Sequence, residues 1–190
     1  MSGTNRPDLS EVRKHFPHWP SELDVAKVPA HWAQMAQSFF LAAQVLNDEQ
    51  RKAHRQWLDN VGQPADLDAY KRSLTMPAAF FCLAFSLELA LKAALVKQGA
   101  LDNLGSGQAL PFSSHNLYRL AQDVDGLYLD ADHKECLEWA SEIIASGKYP
   151  VGKKPRDDTV SHVNRAFSDL TRIAGPLYGE LMEMAADQPE

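Results

Sequence analysis

The chain has 190 residues, enough to bury one core without metal or disulfide support and short for two independent domains. A net charge of -6 argues against an extended nonspecific nucleic-acid surface, because phosphate binding needs a positive field, and confines any polyanion contact to a local patch. Two cysteines, both in apolar stretches, are too few for a secreted disulfide scaffold and fit a reducing cytoplasm.

The first residues, MSGTNRPDLSEVRKHFPHWP, lack the apolar run of a signal peptide, which argues against export by that route. Pro7, Pro17 and Pro20, with Pro29 just beyond, make residues 1–28 an irregular arm laid on the body, with Phe16 and Trp19 available to pin it. Residues 29–190 form the body. Isoleucine is confined to Ile143, Ile144 and Ile173, and no stretch alternates apolar with polar over strand length, so the expected class is all-α.

From Pro29 to Leu46, the positions Trp32, Met35, Ala36, Phe39, Ala43 and Leu46 recur at helical spacing, with proline at the tolerated first turn. A polar helical stretch continues to about Asn60 and gives way to a loop at Gly62-Gln63-Pro64. Residues 74–98 are apolar on nearly every side and stop at Gly99, which predicts the central, most enclosed helix. Its 21-residue run from Met76 to Val96 is long enough for a bilayer. Glu88 and Lys92 within it would cost on the order of several kcal/mol in lipid, so the expected environment is a helical bundle and no membrane.

Ser114 is the predicted N-cap of a short third helix whose Leu117, Leu120, Ala121 and Val124 share a face. A fourth helix carries Cys136, Leu137, Ala140, Ile143 and Ile144 on one stripe and closes at Gly147. In the last helix Val160, Val163, Phe167, Leu170, Ala174, Leu177, Leu181 and Met184 alternate steps of three and four, with a kink expected at Gly175-Pro176.

Three groups of residues can carry chemistry. Glu88 and Lys92 stand four apart, acid before base, as a paired charge on one helical face. His115, with Arg119 one turn on, falls in the predicted first turn of the third helix, where the positive helix end favours a neutral imidazole. The stretch Lys148 to Arg156 holds Lys148, Lys153, Lys154 and Arg156 with no acid, and Tyr149 to stack on a base, which makes it the best polyanion site. His15, His18 and His54 have no neighbouring ligand array, so neither a metal nor another cofactor is expected.

The succession AFSLELALKAALVKQG, SHNLYRLA and ASGKYPV resembles the HEPN (higher eukaryotes and prokaryotes nucleotide-binding) superfamily over about residues 29–185. The resemblance implies a four- to five-helix up-and-down bundle, frequently a homodimer, whose members bind nucleotides or cut RNA without a metal. Arg156, followed by Asp157 and then His162, fits the Arg-to-His spacing of the family's ribonucleases. There the arginine holds the scissile phosphate and the histidine assists proton transfer from the ribose 2'-hydroxyl, both at a dimer cleft. On this basis Arg156 and His162 are catalytic candidates, and Glu88, Lys92, His115, Lys148, Tyr149, Lys153 and Lys154 are ligand-binding candidates. The implied role is nucleotide or RNA-phosphate binding, extending to a metal-independent endoribonuclease of a toxin or defence system. The alternative is a noncatalytic dimerisation or adaptor module, or the partner of an antitoxin or a nucleotidyltransferase, in which Glu88, Lys92 and His115 form an internal polar network.

Overall fold

A computed structural model of the protein describes residues 22–59, 76–105, 108–112, 114–148 and 167–186. Their regular structure is entirely helical: α1 (Glu22–Ala26), α2 (Pro29–Asp59), α3 (Met76–Lys97), α4 (Leu117–Gln122), α5 (Ala131–Lys148) and α6 (Phe167–Ala185). The polar stretch after Leu46 is continuous with the first long helix, so α2 runs 31 residues without a break. The arm's last residues contribute α1, and the indole of Trp32 ties it to α2 by donating to the Ala26 carbonyl at 2.7 Å.

α3 is the hub, touching α2, α4, α5 and α6, with α2 its most extensive neighbour. A helix apolar on all sides is stable in water only when other elements cover it, and here Leu83, Leu87, Leu91, Ala84, Ala90 and Ala94 are all buried. The segment Ala78–Lys97 has the length and apolarity to cross a membrane, yet 78% of its most apolar window is buried within the bundle. Phe39 meets Phe85 edge-on at 4.9 Å while Lys92 lies over Trp32, so α2 and α3 run antiparallel. Phe40 stacks on Tyr178 to bind α2 to α6, and Phe80 meets Trp139 to bind α3 to α5.

α3 stops where the sequence places its glycine. Gly99 has φ +86, the Ala100 amide donates to the Leu95 carbonyl, and the Gly99 amide donates to the Val96 carbonyl, the paired bonds of a Schellman end. Leu170, Ala174, Leu177 and Leu181 form the buried stripe of α6, while Val160 and Val163 of the expected seam lie outside the described residues. α6 runs on through Pro176, which is exposed, and the carbonyl its ring cannot serve belongs to exposed Arg172.

Candidate functional site

α3 presents Glu88 to the interior, with only 1% of its side chain exposed. A buried carboxylate is tolerated only with partners, and Glu88 has two. Lys92, one turn along the same helix, donates from Nζ to Oε1. His115, from the segment leading into α4, places Nδ1 3.0 Å from Oε2 and 3.2 Å from Oε1. Since an ionised carboxylate only accepts, Nδ1 of His115 carries the hydrogen, and in the neutral ring the lone pair belongs to Nε2.

Lys92 and His115 differ from Glu88 in reaching the surface, with 12% and 32% of their side chains exposed. The Lys92 ammonium lies 5.6 Å from the centroid of the Trp32 ring, whose other contacts include the edge of Phe112 at 5.9 Å. One inward carboxylate therefore holds an ammonium and an imidazole at the bundle surface, beside an indole.

The sequence places Ser114 as the cap of α4 and His115 in its first turn; both placements are corrected. Asn116 is the N-cap, its Oδ1 accepting from the Arg119 amide at 3.0 Å, while Ser114 accepts from the Asn116 amide. His115 thus precedes the helix and pairs with the Glu88 carboxylate. The longer side chain of Asn116 reaches the third amide of the helix directly, which outcompetes a serine two residues earlier.

Ser141 of α5 fixes this segment from the other side. Its Oγ accepts from the Leu117 amide at 2.9 Å and donates to the Leu137 carbonyl at 2.7 Å. α5 ends at Lys148, seven residues or about 10 Å of helix beyond Ser141. The Lys148 side chain, and Tyr149, Lys153, Lys154, Arg156 and His162, lie outside the described residues.

The structure thus brings together Glu88, Lys92 and His115 of the expected residues. It adds Trp32 and Ser141, which sequence reasoning missed as parts of the site. Trp32 reads as one more core position on its helix, and no local spacing announces that Lys92 sits over it. Ser141, a polar residue one turn after buried Leu137, was the available signal for a tertiary bond.

Among the described residues no cluster of three His, Cys, Asp or Glu side chains is placed to hold a metal. Every buried side-chain nitrogen or oxygen among them has a hydrogen-bond partner. Comparison with family models, curated proteins and solved structures finds no match to this chain.

Proposed function

We propose that the protein is a HEPN-like module that binds the phosphate of a nucleotide or RNA at the surface formed by Lys92, His115 and Trp32. The observation that carries this reading is the anchoring of an ammonium and an imidazole by one buried carboxylate, at an edge where both reach solvent beside an aromatic ring. The Lys92 ammonium serves phosphate as a charge-assisted donor, and the His115 ring, whose Nδ1 is engaged by Glu88, does so from Nε2 in its protonated form. The basic stretch begun by Lys148 leaves α5 about two turns beyond Ser141, which supports Lys148, Tyr149, Lys153 and Lys154 as the other wall of the same site.

In the catalytic form of this reading, Arg156 holds the scissile phosphate and His162 moves the proton, with a second copy completing the cleft and no metal taking part. Purified protein should then cleave short RNA in the presence of a chelator, and His162→Ala should abolish cleavage while leaving the thermal midpoint in place. Cleavage that survives in that variant removes the catalytic form.

A second reading, the noncatalytic adaptor or partner module, is favoured by a different observation: both carboxylate oxygens of Glu88 are satisfied within the chain. Thermal shift against nucleotides and short RNAs separates the two. A ligand at a hundred times its dissociation constant stabilises by about 2.7 kcal/mol. Stabilisation that is lost in Lys92→Met supports phosphate binding, and a flat response across the panel supports the adaptor.

A further inference from the structure

Where α2 begins and α6 ends, the surface carries a groove of about 270 Å³. Val28, Pro29, Ala30 and Ala33 line one side and Met182 and Ala185 the other, with the amides of Gln34 and Gln37 as its polar groups and no charged side chain among the described residues of its lining. Val25 and Val28, both exposed, extend the apolar surface towards α1. Such a groove suits one large apolar side chain and is a poor host for an ion.

The nearest chain with such a side chain is the protein's own. Trp19 stands three residues before the start of α1 and Phe16 six, within about 10 Å and 20 Å of extended backbone from Glu22. α1 itself spans only about 7 Å before the chain turns into Val28 and the groove. Pro17 directly follows Phe16 and Pro20 directly follows Trp19, and both restrict the backbone, which lowers the entropy lost on docking. The four residues that follow Ala186 in the sequence, Asp187-Gln188-Pro189-Glu190, offer two carboxylates and no aromatic ring as a rival occupant.

We infer that residues 15–20 dock into this groove with Trp19 as the anchor. The docked arm braces the α1–α2 elbow, where the Ala26 carbonyl holds the indole of Trp32, and so supports the ring that Lys92 overlies. This inference is independent of whether the neighbouring polar site binds phosphate. A second copy has its own candidate anchor in exposed Tyr128, and the test separates that case.

The full chain labelled with 5-fluorotryptophan gives signals from Trp19, Trp32, Trp57 and Trp139, and Trp19→Phe assigns the one of interest. A soluble gadolinium chelate should broaden the Trp19 signal as little as that of buried Trp139. Protection of Trp19 should be lost in Ala30→Glu, which puts a charge at an exposed lip position, and in Ala33→Phe, which fills the groove, while the Trp139 signal stays in place as the control for folding. A Trp19 signal as accessible as free tryptophan in the unaltered chain overturns the inference, as does protection that survives both substitutions. Protection that disappears on dilution assigns the groove to a second copy and equally overturns it.

Discussion

The Nδ1 of His115 lies 3.0 Å from Oε2 of Glu88, joining the segment before α4 to the most enclosed helix of the bundle. Lys92 donates to Oε1, so two ionisable side chains from two parts of the chain share one buried carboxylate. Removing one partner of a buried pair leaves a charge with too little compensation, whereas removing both partners as apolar isosteres is often close to neutral. Lys92→Met should therefore destabilise the protein by about 3 kcal/mol, and Glu88→Leu combined with Lys92→Met should recover most of that loss. Urea denaturation of the single and double variants measures both. Equal stability of Lys92→Met and the parent would mean that Glu88 does not depend on the ammonium.

Gly99 offers a test of how α3 is terminated. Its φ of +86 is strained for any residue with a side chain, and a Cβ there would stand 2.6 Å from Oδ2 of Asp102. Gly99→Ala should cost about 1 kcal/mol or more, with Asp102→Ala in the same chain relieving the steric part and leaving the backbone part. A thermal midpoint unchanged in Gly99→Ala would contradict the left-handed end.

These two sites show what was readable beforehand. The course of α3, its glycine stop and the facing of Glu88 with Lys92 follow from periodicity and a four-residue spacing, because each depends on neighbours within one or two helical turns. The irregular reading of residues 1–28 did not anticipate α1, a five-residue helix held by a bond from Trp32, because so short a segment has no periodic signal of its own. Ser114 and Asn116 are both good caps by composition, and only the geometry of the Arg119 amide chooses between them. The approach of His115 to Glu88 and of Lys92 to Trp32 depends on tertiary packing, which residue types suggest and spacing does not specify.

The start of α5 gives a pH-dependent prediction. Asp130 accepts the His133 amide at 2.8 Å, and the Asp130 amide faces Nδ1 of the same histidine at 3.4 Å, a reciprocal arrangement of the capping-box kind. That backbone bond is the main reason the Asp130 carboxyl lies below its ordinary value of 3.8. A depressed carboxylate contributes stability above its unfolded value and loses it as pH falls through the lower folded value. Asp130→Asn keeps an acceptor oxygen but has no such titration, so its thermal midpoint should lie below the parent's at neutral pH, with the gap closing in acid below the ordinary carboxylate range. A gap that stays constant through acid would show that the charge plays no part.

Cys136 gives the opposite sign at the other end of the scale. It is buried on the core face of α5, and burial, aided by the neighbouring Glu135 carboxylate, pushes its thiol up to about 12 from an ordinary 9.0. In the folded protein the thiol is therefore neutral at mildly alkaline pH and inert to alkylating reagents, while Cys82, half-buried and raised by burial alone, should be modified first. Above the ordinary value the unfolded chain releases the Cys136 proton and the folded chain keeps it, so stability falls with rising pH by about 1.4 kcal/mol per unit for this one group. Cys136→Ala should be less stable than the parent at neutral pH because it opens a cavity, yet it should lose less stability as pH rises from 9.0 towards about 12. Urea denaturation across that range, compared with the same series for Cys82→Ala, measures the two slopes. If the parent and Cys136→Ala decline in parallel, the thiol titrates alike in the folded and unfolded chains, and its burial in the core does not hold in solution.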